Sequence, residues 1–271
     1  MTTAEALRAA EGTAMLPDRV WTALSTVLDP ELDEPITDLG FVRSHAVDGA
    51  DVEVHLRLPT SFCSPSFAYL MAADAHDALT ALPDVGRVVV VLDDHHDSDK
   101  INDGLAASAG YLGTFTHEAE ESLDELRLVF RRKAHTAAVE RAVGVLTATT
   151  GVHPDALPGV RLRDLVPGRE KDALLKRRAD LGLPTADDAY VLVDELGHRF
   201  PADQVPLRLR FARTTRISID GNAHFCRGLL RTRYADAGAD QQPRAQDPGP
   251  ELFQITTRRP DAEVTNAERE A

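Results

Sequence analysis

The chain has 271 residues, a formal net charge of −14 and two cysteines, Cys63 and Cys226. The length suits one large or two modest domains, and 43% apolar with 27% charged residues is typical of a soluble globular protein. So negative a charge argues against general binding to nucleic acids or anionic membranes, which needs a basic surface. Two cysteines also exclude a disulfide framework and a four-thiolate zinc site, but they allow reactive thiols.

No targeting or membrane segment is predicted. Residues 1–14 carry Glu5 and Glu11 and lack an apolar core, so they do not resemble a signal peptide. The longest aliphatic run, Val88 to Leu92, is too short to span a bilayer. We therefore expect a cytoplasmic protein whose thiols stay reduced.

The chain begins with a predicted helix and a hairpin. Apolar residues recur at helical spacing after Pro17, and the helix is predicted to end before Pro30, because proline disfavours helical geometry in the preceding residue. The turn Asp48-Gly49 then separates two predicted strands, residues 41–47 and 52–58. The second strand alternates apolar and polar residues, which is typical of a strand with one buried face.

A second helix and a third strand complete the first predicted domain. An apolar stripe at helical spacing predicts a helix over residues 65–82, and the aliphatic residues 85–92 predict a strand in the middle of the sheet. The order helix, strand, strand, helix, strand indicates a small α/β sandwich over residues 15–105. Small residues dominate the next stretch, so residues 106–116 are predicted to be a linker.

The rest of the chain predicts a mixed helical and β accessory region over residues 117–234, which makes the fold class α+β. A tail over residues 235–271 is predicted to be disordered, because it is rich in Gln, Pro, Asp and Ala and has little periodicity. The predicted elements of the accessory region are helices over 117–147, 168–181 and 222–234 and strands over 190–193, 207–211 and 217–219.

A cysteine lies between the second predicted strand and the second predicted helix. At a helix N-terminus, Cys63 meets free backbone N–H groups and the positive end of the helix dipole, which favour the thiolate that binds metals or attacks electrophiles. Thr60 is placed to hydrogen-bond this turn, and Asp29 and Asp38 lie where they can converge on the same rim. The alternative is that Cys63 is a small buried apolar residue and that the other three cap or shape loops.

Two sequence motifs in this domain resemble those of a known family. D-P-E-L at 29–32 is followed by P-I-T-D-L-G-F-V at 35–42, and L-P-T-S-F-C-S-P occupies 58–65. With the element order, residues 15–100 resemble the iron–sulfur cluster assembly domain of the SufT and PaaD type. In that family the cysteine follows the threonine by four residues and directly precedes proline, whereas here Ser64 separates Cys63 from Pro65.

The resemblance implies a role for the chain and for its site residues. It implies a factor that assembles or matures a metal or iron–sulfur centre in a client protein, and a multicomponent monooxygenase is one candidate client. Cys63 would hold iron or a cluster transiently, and Thr60, Asp29 and Asp38 would shape its rim. A stable cluster needs more ligands than two thiols, so a partner or a second copy in a homodimer would complete the site.

Two further groups of residues are candidate metal ligands. The stretch D-D-H-H-D-S-D-K at 93–100 contains His95 and His96, although its spacing matches no standard metal motif and a solvated loop is the simpler interpretation. Cys226 follows a predicted strand and turn, as Cys63 does. If the two cysteines approach each other with His224 nearby, they would form a thiolate and imidazole site; otherwise Cys226 packs in the accessory core.

Three classes of function remain open. No P-loop, dinucleotide-binding or nucleophile-elbow motif is present, so we do not expect an enzyme. The rival interpretations are an interaction scaffold that binds no metal and a metal-dependent enzyme that uses residues 93–99. The arginines from Arg199 to Arg233 can dock an acidic protein, although Arg208 and Arg210 are more simply explained as the solvent-exposed face of a strand. We expect a client metalloprotein as partner, and neither nucleic acid nor membrane.

Overall fold

The structure is a computed structural model that describes residues 15–115 and 123–237. The first 14 residues, residues 116–122 and residues 238–271, which include most of the predicted tail, lie outside the described residues. None of the described helices is both long and apolar enough to cross a membrane.

The first domain has the predicted order of elements. A three-stranded sheet has the order β1-β2-β3, with β1 antiparallel and β3 parallel to β2. The predicted sandwich is confirmed, but β3 lies at an edge and not in the middle of the sheet, because β2 has neighbours on both sides. The elements are α1 (Leu16–Leu24), β1 (Val42–Asp48), β2 (Asp51–Leu56), α2 (Pro65–Thr80) and β3 (Val88–Leu92).

The predicted linker is helical. α3 (Ser98–Ala106) and α4 (Gly110–Phe115) occupy most of it, and Phe115 is buried in the first core. The small residues serve close packing, because a Cβ on Gly104 would overlap the side chain of Thr114. Residues 106–115 therefore lie largely in helices that pack closely. The domain boundaries themselves stay a prediction.

The accessory region consists mainly of three helices: α5 (Leu123–Thr150), α6 (Arg169–Asp180) and α7 (Val205–Arg233). The predicted helices over 117–147 and 168–181 correspond to α5 and α6. The three helices, together with the segment between α6 and α7, enclose a second apolar core. Three short 3-10 helices connect these elements, and residues 190–193 form only isolated β-bridges.

The strands predicted over 207–211 and 217–219 are wrong, because both segments belong to the single helix α7. Alternating apolar and arginine residues suggested a period of two, but the buried residues of α7 follow helical spacing. Packing against α5 decides the outcome, and Arg216 of α7 pairs there with Glu140 of α5. Arg208 and Arg210 accordingly lie on a helix and not on a strand.

Helix α7 joins the two cores. Its first residue, Val205, is buried in the second core, whereas Ala223 and Leu230 near its other end are buried in the first core. The segment that continues past the helix adds Tyr234 and Ala237 to the first core. The far end of the accessory region is thus part of the packing of the first domain.

Candidate functional site

Cys63 lies in a short turn that leads into α2. The side chain is half-buried, and the residues after it, Ser64 and Pro65, begin the helix. The hydroxyl of Thr60 accepts a hydrogen bond from the backbone N–H of Phe62 at 2.9 Å and lies 3.9 Å from the Cys63 sulfur. The structure therefore places Thr60 beside the thiol, where it holds the turn.

Asp29 is a buried carboxylate in the D-P-E-L motif. The side chain is 7% exposed, and one oxygen accepts the backbone N–H groups of Glu31 and Leu32 at 2.9 and 2.8 Å. Burial raises the pKa of Asp29 to about 6, which outweighs the opposite effect of these two hydrogen bonds. The motif thus holds a carboxylate that titrates close to neutral pH.

His95 positions the cysteine turn. Its Nδ1 accepts the N–H of Asp97 at 3.1 Å, so Nε2 carries the proton and donates to the carbonyl oxygen of Cys63 at 2.8 Å. Both ring nitrogens are therefore used, and neither is free for a metal ion. His96 is exposed, and its backbone N–H donates to the carbonyl of Ser61 at 2.9 Å. The loop after β3 thus holds the Cys63 turn in place by hydrogen bonds.

The end of α7 and the residues after it, 222–237, cover this part of the first domain; we call them the strap. On the side of the D-P-E-L motif, Asn222 donates to the Glu31 carboxylate at 3.3 Å, and Arg227 pairs with Glu34. Gly40 of the D-L-G sequence has a φ of +76°, and a Cβ there would lie 3.2 Å from Leu230 of the strap. Glycine thus permits the close approach of the helix.

The strap also contacts the cysteine turn directly. The guanidinium group of Arg233 donates to the carbonyl of Leu58 at 3.2 Å, to the Ser61 hydroxyl at 2.8 Å and to the carbonyl of Asp94 at 2.6 Å. The hydroxyl of Tyr234 donates to the Asp94 carboxylate at 3.0 Å. Arginine and tyrosine therefore tie the end of α7 to both loops that surround Cys63.

Cys226 belongs to the face of the strap that meets the first domain. It follows Asn222 by one helical turn and precedes Leu230 by another, and both of these residues contact the domain. Burial, then electrostatic interaction with Asp29 and Cys63, raises the pKa of the Cys226 thiol to about 11. The second cysteine therefore shares an environment with the first, and its thiol is protonated at neutral pH.

Two of the predicted site residues lie elsewhere. His224 is exposed. Because it lies two residues from Cys226, it is on a different side of the helix. Asp38 is exposed and accepts a hydrogen bond from the Thr37 hydroxyl at 3.3 Å, and none of the contacts among the described residues joins it to the turn.

The described residues do not form a complete metal site. Within residues 15–115 and 123–237, no three side chains of His, Cys, Asp or Glu are arranged to hold a metal ion. The structure thus brings Cys63, Cys226 and Asp29 into one region, but it does not add His95, His96 or His224 to them as ligands.

The sequence interpretation missed the strap. Arg233 and Tyr234 are separated by more than 130 residues from Asp94, which both of them contact. An arginine-rich segment in an acidic chain was a visible signal, but it gave no indication of which surface the arginines meet.

The strap should limit access to Cys63. Replacing Arg233 with alanine removes its three hydrogen bonds to the surrounding loops, so we expect iodoacetamide to alkylate Cys63 several times faster. Peptide mass spectrometry after timed alkylation measures the rate. Arg231→Ala is the matched control, since Arg231 is exposed on the same helix. Equal rates in both variants would show that the strap does not restrict the thiol.

Comparison with known protein families identifies the first domain. Residues 17–90 match the family described as iron-sulfur cluster assembly protein, and the chain has no match among curated proteins. The matched segment contains the D-P-E-L motif, the hairpin, the Cys63 turn and α2, whereas the strap lies outside it. Residues 17–90 of this chain are therefore an iron–sulfur cluster assembly domain.

Proposed function

We propose that the chain is a maturation factor of the SufT and PaaD type, which delivers or supports a metal or iron–sulfur centre in a client protein. The observation that carries the proposal is the thiol of Cys63 in the turn of an iron–sulfur cluster assembly domain. Thr60 lies beside that thiol, and the buried carboxylate of Asp29 lies in the motif that faces the same strap.

In this proposal iron or a cluster is cargo. Cys63 holds it, and the strap supplies the second cysteine, Cys226, whose thiol interacts electrostatically with Cys63. Iron–sulfur clusters in proteins are usually held by four thiolates, and the whole chain has two cysteines. The client, or a second copy of this chain, therefore supplies the remaining ligands, and binding is transient. The chain acts in the cytoplasm and is not itself an enzyme.

Client recognition is assigned to the accessory region in the same proposal, and a multicomponent monooxygenase remains the candidate client. The region is physically coupled to the site, because α7 extends from the second core to the cysteine turn. Binding of a client to α7 can therefore be transmitted to the strap that covers Cys63.

Anaerobic incubation of the full chain with ferrous iron and sulfide tests the proposal. We expect visible sulfur-to-iron absorption and bound iron by metal analysis in the wild-type chain, and loss of both in Cys63→Ser. A scaffold that binds no metal would give neither signal. A metal-dependent enzyme using residues 93–99 would keep stoichiometric metal after loss of both cysteines. Both ring nitrogens of His95 already form hydrogen bonds, which disfavours this alternative.

A further inference from the structure

Asp94 has an unusual backbone conformation beside the Cys63 turn. It lies in the loop after β3, and its φ of +51° is in the left-handed region, which residues other than glycine seldom adopt. Aspartate tolerates this region better than most residues, but the conformation still costs free energy. Such strain persists only where surrounding contacts maintain it, and residues held in this way concentrate at functional sites.

The residues on either side of Asp94 are fixed. Asp93 accepts a hydrogen bond from Arg43 of β1 at 3.0 Å, so it is anchored to the sheet. His95 is 6% exposed and donates to the Cys63 carbonyl at 2.8 Å. The backbone conformation of Asp94 therefore sets the direction in which the chain leaves the sheet, and that direction decides whether His95 reaches the Cys63 turn.

Two consecutive residues of the strap hold Asp94. Arg233 donates to its backbone carbonyl at 2.6 Å, and the Tyr234 hydroxyl donates to its carboxylate at 3.0 Å. The carbonyl of Asp94 belongs to the peptide group that leads to His95. Because the strap binds both this carbonyl and the side chain, it fixes the orientation of that peptide group and maintains the left-handed conformation.

Tyr234 is itself held firmly and is a well-defined donor. It is 5% exposed, and the guanidinium carbons of Arg57 and Arg233 lie 5.0 and 5.3 Å from its ring centre. Burial raises the pKa of the Tyr234 phenol, so the hydroxyl keeps its proton at physiological pH. Among the described residues this hydroxyl forms one hydrogen bond, to Asp94, so its effect on Cys63 passes through Asp94.

We propose that Tyr234 is a positioning residue for Cys63. It holds Asp94 in the left-handed conformation, and from that conformation His95 reaches the Cys63 carbonyl. That this thiol carries cargo rests on the proposed function, whereas the contacts do not. Detachment of the strap would uncover the thiol and at the same time withdraw the support of its turn. The strap is thus a latch that couples access to Cys63 with the position of Cys63.

Amide hydrogen exchange, resolved to single residues by mass spectrometry, tests the positioning on the full chain without iron. The reporter is the backbone N–H of His96, which donates to the Ser61 carbonyl at 2.9 Å and so joins the loop to the turn. Tyr234→Phe removes only a hydroxyl, and we expect the His96 amide to exchange about threefold faster or more. Tyr190→Phe is the matched control, because the Tyr190 hydroxyl accepts its hydrogen bond from Arg161 in the accessory region.

Two substitutions of Asp94 separate the role of its backbone from that of its side chain. Asp94→Ala and Asp94→Gly both lose the hydrogen bond from Tyr234, but only glycine adopts a φ of +51° without strain. We therefore expect the His96 amide to exchange about fivefold faster in Asp94→Ala than in Asp94→Gly. Adding Tyr234→Phe to Asp94→Ala should change nothing further, because the hydroxyl has then already lost its partner.

The proposal is overturned if the His96 amide of Tyr234→Phe exchanges as in the wild type, if Asp94→Gly exchanges as fast as Asp94→Ala, or if the effects of Tyr234→Phe and Asp94→Ala add. Iron release from the reconstituted chain to ferrozine connects the position of the turn with the cargo, and Tyr234→Phe should release iron about threefold faster. Unchanged release would also overturn the proposal, since Tyr234 would then hold the loop without serving the thiol. A wild-type chain that takes up no iron would remove the proposed function alone, because the exchange measurements do not involve iron.

Discussion

Cys63→Ser is expected to reduce iron and sulfide uptake to background and to abolish maturation of clients in cells. Serine is close to cysteine in size, but an alcohol stays protonated where a thiolate would bind a soft metal ion. Iron per chain after anaerobic reconstitution measures the first effect, and client activity in a strain that carries the variant measures the second.

The control for Cys63→Ser moves the thiol by one residue. Ser64 occupies the position of the cysteine in the family turn and begins α2, so Ser64→Cys combined with Cys63→Ser returns the thiol to the family register. Recovery of iron uptake in the double variant would show that a thiol at position 64 can replace the thiol at position 63. A Cys63→Ser strain that matures its clients normally would contradict a role for this thiol.

The first domain could be predicted because its signals are local. The turn Asp48-Gly49 separates two predicted strands that the structure confirms, and Asp48 pairs with Asp51 across the turn. The place of β3 in the sheet could not be predicted, since the order of strands depends on contacts that no local pattern contains. An aliphatic strand indicates burial but not a central position.

Helix α7 shows where local patterns fail. Its sequence alternates over 207–211 as a strand would, and the correct periodicity emerges only when Ala212, Ile219 and Ala223 are buried against other elements. Arg141 of α5 and Asp220 of α7, which form one of those contacts at 2.6 Å, are separated by 79 residues. Tertiary packing therefore overrides the alternation.

The candidate site was predictable only in part, for the same reason. Thr60 and Cys63 are neighbours in the chain, so their contact follows from the turn. The hydrogen bond from His95 ends on a backbone carbonyl, which has no sequence signature. The approach of Cys226 to the Cys63 turn depends on the position of α7 against the first domain, and no sequence motif encodes that position.

Asp29→Asn is expected to stabilise the protein at neutral pH and to impair its function. A rise in pKa from 3.8 to about 6 corresponds to about 3 kcal/mol of destabilisation above pH 6, as an order of magnitude. Between pH 3.8 and about pH 6 the native protein binds the proton of Asp29 more tightly than the unfolded chain does. The contribution of Asp29 to the free energy of unfolding therefore falls as pH rises through this window. The asparagine carbonyl can still accept the N–H groups of Glu31 and Leu32.

Urea unfolding at pH 7.5 and at pH 4 tests the Asp29 prediction. Asp29→Asn should unfold at higher urea than the wild type at pH 7.5, and the difference should nearly disappear at pH 4. Asp38→Asn, at an exposed carboxylate, should behave as the wild type at both values. A variant that is less stable at pH 7.5 would contradict the cost of the buried charge. A more stable variant with normal iron uptake would remove Asp29 from the site, because the charge of its carboxylate would then not be needed for iron to bind.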